Sequence, residues 1–222
     1  MSGAPIADLS WVVKCLEQPV TPRMLIFFTN SNHLTDAYQS ILYHSGEPIG
    51  GRVAMFQLVT NDQLKAELMA DLGNPDGKTK VVLCTSSLSM GINLAAIDYV
   101  IHYGLPHTTD MFLQETGRAS REDGSHGHSI ILTYPRMMAG RANTTDSVIK
   151  QLAKTGDCLR DTLLSKFDAV KPTDQSQCCT NCGVEADDII DLICNDLDSE
   201  VSYNSISSYD SDVACAADVE LI

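Results

Sequence analysis

A short polar string near the middle of the chain contains two arginines at helical spacing. Gln114, Arg118 and Arg121 follow one another at intervals of four and three residues, so one continuous helix would place them on a single face. Two guanidinium groups on one face form a fork-shaped site that suits phosphate oxygens, and Gln114 would orient a water beside them. In phosphoryl transfer, positive charge from a second protein body stabilises the charge developing on the transferred phosphate. The spacing predicts such a site, with a solvated helix of paired charges, including Glu115 and Glu122, as the alternative.

A cluster of cysteines is the second group of residues that could do chemistry. Four of the eight cysteines lie close together in sequence: Cys158, Cys178, Cys179 and Cys182. The two-residue spacing between Cys179 and Cys182 suits one tetrahedral Zn²⁺ ion. Cys158 and Cys178 are candidates for the other ligands, with Glu185 or a water as alternatives for the fourth. Residues 1–18 lack the apolar segment of a secretory signal, so metal ligation or free thiols are expected rather than a disulfide framework.

The elements that must position these residues alternate between strand and helix patterns. A continuous apolar run of strand length occurs at 24–28, and largely apolar strand patterns occur at 80–84, 98–103 and 129–134. Apolar residues at helical spacing predict helices at 6–16, 32–42, 63–72, 109–119 and 145–168. Strands that alternate with helices favour a parallel sheet covered by helices on both faces. Ligands of such sheets bind beyond the carboxyl ends of the strands, so the residues just after each strand are the first candidates for chemistry.

The net charge of −14 is unevenly distributed along the chain. Residues 1–170 have a net charge of −3, and residues 171–222 have a net charge of −11. Such an asymmetry indicates a separate segment, and the Ser/Asp-rich sequence of 186–222 predicts a mostly disordered acidic tail. The nearly neutral body is not expected to bind DNA strongly by itself, because that affinity depends on local Lys and Arg contacts. No apolar run approaches the ~18 residues of a membrane span, so no membrane partner is expected.

Several strings of the chain together resemble one protein family. Residues 114–121, Gln-Glu-Thr-Gly-Arg-Ala-Ser-Arg, resemble motif VI of the RecQ-like DNA helicases of superfamily 2, usually written Q-E-x-G-R-A-G-R-D-G. Residues 85–93 resemble motif V, and residues 24–29 resemble motif IV. Residues 100–106 are similar to the strand and H-x-x-x-P turn of that family. The order and spacing of the motifs match over roughly residues 10–185.

The resemblance implies a fold and an activity. Residues 1–145 would form the second RecA-like domain of an ATP-dependent helicase that unwinds DNA in the 3′-to-5′ direction during recombination or repair in the nucleus. In this family ATP and Mg²⁺ lie between two RecA-like domains, and the first domain contains the P-loop. Residues 158–167 resemble the opening of the family's zinc-binding segment, which makes 146–185 a helical, zinc-binding-like segment. The expected partners are therefore DNA and a P-loop domain supplied in cis or in trans.

The resemblance also implies roles for individual residues. Arg121 would be the arginine finger, Arg118 a phosphate or inter-domain contact, and Gln114 a water or phosphate orienter. Gly91 would provide a permissive turn at the nucleotide, and Asn93 would take the place of the motif V aspartate. The residues expected to contact the DNA backbone with hydroxyls and amides are Thr29, Thr85 and Ser86. For Thr85, Gly91 and Asn93, an ordinary strand-to-helix loop remains the alternative interpretation.

The sequence lacks the phosphate-cradling string G-x-x-x-x-G-K-[ST]. Its nearest match, at 73–79, has one residue too few, contains Pro75, and precedes a strand instead of following one. No D-E-x-H string for Mg²⁺ and water activation is present either. Ser120 and Glu122 also depart from motif VI. We therefore expect no appreciable ATP hydrolysis by the chain alone, and the alternative is a non-catalytic module, or inactive fragment, that binds DNA or a helicase.

Overall fold

The computed structural model describes the following parts of the 222-residue chain: 9–45, 49, 51–89, 94, 97–119, 127–133, 145–165, 167, 178–182, 202–209 and 213–218. Several of the predicted functional residues lie outside these ranges, among them Gly91, Asn93 and Arg121. Within the described residues, no helix is long and apolar enough to cross a membrane.

Five parallel strands form the central part of the sheet. In chain order they are β1 (Met24–Phe28), β2 (Val53–Phe56), β3 (Val81–Cys84), β4 (Tyr99–Tyr103) and β5 (Gly127–Thr133). Their spatial order is β2-β3-β1-β4-β5, and each neighbouring pair is parallel. Every residue of β1, β3 and β4 is buried, which explains why these strands are apolar apart from His102 in β4. The predicted parallel α/β sheet is confirmed, and the half-buried β2 is an additional strand that the apolar pattern did not predict.

Six α-helices are described between and after these strands: α1 (Ser10–Glu17), α2 (Ser31–Ser45), α3 (Asp62–Leu72), α4 (Thr109–Thr116), α5 (Ser147–Leu152) and α6 (Leu159–Leu164). Polar side chains cap several of them. The Asn30 carboxamide oxygen accepts a bond of 2.8 Å from the backbone N–H of Asn32 at the start of α2, as expected for an N-cap asparagine. Asn61 caps α3 and Thr108 caps α4 in the same way. These caps determine where each helix begins.

The alternation of side chains along the strands divides the core between two faces of the sheet. On one face, Met24, Ile26 and their neighbours pack under α1 and α2, with Trp11 fully buried. On the other face, Leu25, Phe27 and their neighbours pack under α3 and α4. Both faces are therefore covered by helices, as the sequence predicted for a doubly covered parallel sheet. The helices α5 and α6 join the second face through an apolar cluster that they share with α4 and β5.

The predicted long helix over 145–168 is wrong, because the structure contains two short helices there. Between α5 and α6 the chain turns through Thr155, Gly156 and Asp157. The side-chain amide of Asn181 donates hydrogen bonds to the carbonyl oxygens of Thr155 and Asp157, at 3.2 and 2.8 Å. Those carbonyls are thus held by a distant residue instead of by a helix. Hydrophobic spacing alone does not detect such a break.

Two segments of the acidic C-terminal region are described as strands. Two strands, β6 (Ser202–Tyr209) and β7 (Val213–Asp218), extend the sheet beyond β5 as antiparallel neighbours. The charge is unevenly placed, because β6 contains no Asp, Glu, Lys or Arg and β7 has only Asp218. Uncharged segments with Tyr, Ile and Val favour strands over disorder. The disorder expected for the tail over 186–222 stays a prediction.

A buried carboxylate holds two strands together at the opposite end of the sheet from the candidate site. Asp98 precedes β4, and its side chain accepts a bond of 2.7 Å from the backbone N–H of Arg23, which precedes β1. Burial raises the pKa of Asp98 above its ordinary value of 3.8, against the lowering effect of Arg23, Lys80 and His128. An acid whose pKa is higher in the folded state stabilises the fold fully below the unfolded value. That contribution is lost as the pH rises through the folded value.

We expect the substitution Asp98→Asn to stabilise the protein progressively, relative to wild type, as the pH rises above about 4. The amide keeps an acceptor oxygen for Arg23 but cannot ionise. Asp71→Asn is the matched control, because hydrogen bonds from Thr79 and Lys78, with Arg23, outweigh burial and lower the pKa of Asp71. That variant should lose stability relative to wild type over the same pH range. Denaturant titrations at a series of pH values measure both, and trends of the same sign would contradict the assignment.

Candidate functional site

The predicted DNA-contacting residues lie together at the carboxyl ends of adjacent strands. Thr29 follows β1, and Thr85 and Ser86 follow its neighbour β3, whose register pairs Phe27 with Cys84. All three predicted residues are half-buried. The backbone N–H of Thr85 donates to the carbonyl of Phe56 at 3.3 Å, which ties this edge to β2. The structure therefore brings these hydroxyls to one edge of the sheet, and their contact with a nucleic acid stays a prediction.

The segment after β3 is anchored by apolar side chains. Residues 86–89 form a short 3-10 turn, and the Thr85 hydroxyl lies 2.8 Å from the Ser87 hydroxyl. Leu88 is fully buried, and Leu94 is also buried in the core of the second face. Gly91 and Asn93 lie outside the described residues.

The helix that contains Gln114 is shorter than predicted. α4 ends at Thr116, and Gly117 closes it with its backbone N–H donating to the carbonyl of Leu113 at 2.9 Å. A Cβ at position 117 would lie 3.0 Å from the same carbonyl oxygen, so the tight turn favours glycine. Gln114 is exposed on the helix, whereas Arg118 lies beyond its end and is only 3% exposed. The prediction that Gln114 and Arg118 share a helix face is therefore wrong.

Arg118 lies in a turn that is held to the sheet. Its backbone N–H donates to the carbonyl of Glu115 at 3.2 Å, and the next residue, Ala119, forms a bridge with Ile97 just before β4. A guanidinium this buried is not presented to solvent in this arrangement, and its role as a phosphate or inter-domain contact stays a prediction. Arg121 lies outside the described residues, so its role as the finger stays a prediction as well.

A buried histidine–glutamate pair underlies this turn. The Nε2 atom of His102, in β4, lies 2.9 Å from the Oε2 atom of Glu115, and the two residues are 2% and 3% exposed. The imidazole stacks on Phe27 with ring centroids 5.4 Å apart and is tilted against Phe112 at 5.0 Å. The interpretation of Glu115 as a solvated, paired surface charge is therefore wrong. The presence of a histidine inside a fully buried strand was the available signal, since buried polar groups need partners.

Cys84 lies in the same row of the sheet as this pair. Phe27 in β1 is the register partner of both Cys84 in β3 and His102 in β4. Burial raises the pKa of the Cys84 thiol well above its usual range, and the Glu115 charge raises it further, although Arg118 opposes both. The thiol therefore stays protonated and unreactive at neutral pH. Glu115 and Arg118 both lie within electrostatic range of one buried atom close to the carboxyl ends of the strands.

The four clustered cysteines come together next to α6. The Sγ atoms of Cys158, Cys178, Cys179 and Cys182 all lie within 4.8 Å of one another. Individual separations are 3.5 Å from Cys158 to Cys178, 4.0 Å from Cys158 to Cys179, and 3.4 Å from Cys179 to Cys182. Tetrahedral Zn²⁺ with about 2.3 Å bonds to sulfur needs sulfurs roughly 3.8 Å apart, so the donor set fits this ion. The predicted ligands are thus brought together.

Three cysteines of the cluster, Cys158, Cys179 and Cys182, are free thiols, and Cys178 is assigned to a disulfide bond. Crowded sulfurs can either share a metal or oxidise, and the two arrangements exclude each other at Cys178. Burial raises the pKa of Cys179, and raises that of Cys182 to about 12, aided by the neighbouring sulfurs. A bound cation would reverse that effect by favouring thiolates.

The parallel sheet, the motif-bearing turn after α4 and the polar strand ends define an α/β, RecA-like domain of the helicase C-terminal class. Consistently, residues 7–123 match the family model described as "Helicase conserved C-terminal domain". The chain belongs to that family.

Three relatives show how far the similarity extends. The "Probable ATP-dependent DNA helicase RecS" of Bacillus subtilis is 34% identical over 136 residues, which are 55% of this chain and 24% of that protein. The "ATP-dependent DNA helicase RecQ" of Pasteurella multocida is 24% identical over 173 residues, 72% of this chain and 26% of that protein. The "ATP-dependent RNA helicase mak5" of Schizosaccharomyces pombe is 36% identical over 66 residues, 30% of this chain and 10% of that protein. The chain thus spans about a quarter or less of these relatives.

Proposed function

We propose that this chain is the second motor domain of a RecQ-like DNA helicase, which couples ATP hydrolysis to 3′-to-5′ unwinding in recombination or repair in the nucleus. The observation that supports the proposal most is the motif VI string at the end of α4. It stands beside motif V and motif IV residues placed at the carboxyl edge of the same sheet. DNA helicases match over 136 and 173 residues and an RNA helicase matches over 134, so the choice of DNA over RNA rests on the RecQ-like motifs. The nucleotide, with Mg²⁺, would be held mainly by a P-loop domain that this sequence lacks.

In the proposed motor, the residues of the chain have three roles. Arg121 delivers a fixed positive charge to the γ-phosphate, and Gln114, exposed on α4, orients the water that attacks it. Thr29, Thr85 and Ser86 offer hydroxyl and amide donors to the DNA backbone at the strand ends. Hydroxyls and amides position a backbone without reading its sequence, so binding should show little sequence preference.

A second candidate function is a non-catalytic module that binds DNA or a helicase. Two observations favour it: the sequence has no P-loop string, and Arg118 is 3% exposed instead of presented to a ligand. The two functions differ in one measurable respect. A motor domain creates ATPase activity when it is combined with a P-loop domain, whereas a binding module does not.

The test combines the purified 222-residue chain with the first RecA-like domain of a RecQ-type helicase and measures phosphate release. We expect neither protein alone to hydrolyse ATP appreciably, and the mixture to do so when single-stranded DNA is added. Single-stranded RNA of the same length is the matched control and should stimulate less. Stronger stimulation by RNA would refute the DNA assignment. A mixture that binds DNA without hydrolysing ATP would refute the motor function and support the binding module.

We also propose that the four clustered cysteines hold one structural Zn²⁺ when Cys178 is reduced. The chemistry of the donor set supports this, because four sulfurs within 4.8 Å suit a closed tetrahedral site. Zinc supplies no catalytic step here, since a site with four protein ligands has no open position. Its effect would be to fix the segment after α5 against the second face of the sheet.

The zinc proposal predicts about one zinc per chain by elemental mass spectrometry after purification in reductant. Cys179→Ser and Cys182→Ser should each lower that content severalfold, because each removes one of four ligands. Cys15→Ala is the matched control, since Cys15 is a buried thiol of α1 far from the cluster in sequence. Its zinc content should equal that of wild type. A reduced wild-type protein with little zinc would overturn the proposal.

A further inference from the structure

The His102–Glu115 pair places two ionisable side chains in the protein interior. Both side chains are at most 3% exposed, and aromatic rings of Phe27 and Phe112 pack against the imidazole. Replacing a buried polar pair by apolar side chains of similar size is often neutral or stabilising. Stability alone therefore does not account for a carboxylate and an imidazole in this place. Such a pair instead fixes one orientation of α4 relative to β4, because the hydrogen bond forms in only one arrangement.

The pair is connected to the Arg118 turn through the backbone. The carbonyl of Glu115 accepts the N–H of Arg118 at 3.2 Å, so fixing Glu115 also fixes the start of the turn. The end of the turn is fixed separately by the bridge between Ala119 and Ile97. Arg118 is thus held between two attachments to the β4 segment, one made by a side chain and one by the backbone.

Glu115 and Arg118 both act on the buried Cys84 thiol, with opposite sign. Because Cys84 and His102 are both register partners of Phe27, the four groups occupy one region near the carboxyl ends of β1, β3 and β4. Opposite charges interact more strongly in a region that excludes water than at the protein surface.

We propose that Glu115 is a positioning residue, which His102 holds in place and which in turn sets the orientation of Arg118 and of the turn that leads into the rest of motif VI. The proposal rests on the proposed motor function only for its consequence in catalysis. The positioning itself is a property of this chain and can be measured without ATP.

The first experiment observes the Arg118 side chain directly. In ¹⁵N-labelled full-length chain, the Arg118 Nε–H signal is assigned by its disappearance in Arg118→Lys. We expect Glu115→Leu to shift this signal and to speed its hydrogen exchange by about tenfold or more, because the turn opens more often. Glu115→Gln keeps an acceptor oxygen and should restore most of the protection. Thr116→Val is the matched control, since Thr116 is equally buried but its hydroxyl donates only within its own helix, to Leu113.

His102→Leu removes the same pair by changing its residue in β4. It provides a second test if the Glu115 variant does not fold. It should change the Arg118 signal in the same way. If the Arg118 signal and its exchange are unchanged in every folded variant that lacks the pair, the positioning role is wrong.

The second experiment uses the chain together with its P-loop domain. We expect Glu115→Leu to lower kcat for ATP hydrolysis by about 10- to 100-fold with a smaller change in KM, as for a misplaced catalytic group. In an Arg118→Ala background the same substitution should cause no further loss. Losses that multiply would overturn action through Arg118. If Arg118→Ala itself has no effect, the predicted role of Arg118 as a phosphate or inter-domain contact fails, and the exchange measurement still decides the positioning.

Discussion

Replacing Arg121 by alanine should lower ATP hydrolysis by the chain and its P-loop partner domain by about 10³-fold or more. In the proposed motor, this guanidinium meets the γ-phosphate only when the two domains close on the nucleotide. Its charge then stabilises the transition state more than the bound substrate, so the loss should appear in kcat and leave KM for ATP nearly unchanged. Steady-state phosphate release at saturating DNA measures both constants.

Two variants control for the loss of positive charge. Arg121→Lys retains the charge but not the planar, two-pronged donor, and we expect it to recover only a small part of the rate. Lys154→Ala removes a charge from an exposed position after α5 and should leave kcat unchanged. If Arg121→Ala kept more than a tenth of the wild-type rate, the finger would have to be another residue. DNA binding measured in parallel should stay within severalfold of wild type.

The parts of the fold that the sequence predicted are those in which burial is complete. β1, β3 and β4 are buried along their whole length, so their sequences are apolar apart from His102 and are easily recognised. β2 lies at the edge of the sheet with two half-buried residues, and its short sequence has no distinctive pattern. The strands β6 and β7 were not predicted for a different reason. The acidic composition of the whole tail indicated disorder, although these two segments are almost uncharged.

Contacts between residues distant in sequence explain the errors at the candidate site. Periodicity placed Gln114 and Arg118 on one face, but the turn at Gly117 ends the helix before Arg118. The partner of His102 is Glu115, 13 residues later and on a different element. No local pattern relates these two residues, because their contact depends on how α4 packs against β4.

For the cysteine cluster, in contrast to the helix that contains Gln114, the sequence predicted which residues come together. The spacing of Cys179 and Cys182 predicted their proximity, because two intervening residues allow both sulfurs to face one point. The approach of Cys158 depended on the break between α5 and α6, yet the family pattern included it.

Phe112→Ala should destabilise the fold strongly, lowering the free energy of unfolding by about 3–5 kcal/mol. Phe112 is fully buried on α4 and belongs to the apolar cluster that joins α4 to β5, α5 and α6. Its removal leaves a cavity against the ring of His102, so packing is lost around the buried polar pair as well. Urea titration followed by the fluorescence of Trp11, the single tryptophan and itself buried in α1, measures the change.

Phe167→Ala is the matched control for Phe112→Ala. Phe167 has the same side chain but is 40% exposed, so its loss creates little cavity and should cost well under the core value, about 1 kcal/mol or less. The comparison separates burial from residue type. Phe112→Leu, which keeps most of the apolar volume, should fall between the two. Equal losses for Phe112→Ala and Phe167→Ala would mean that α4 does not pack on the sheet as described. The support of the Arg118 turn by Glu115 would then lose its structural basis.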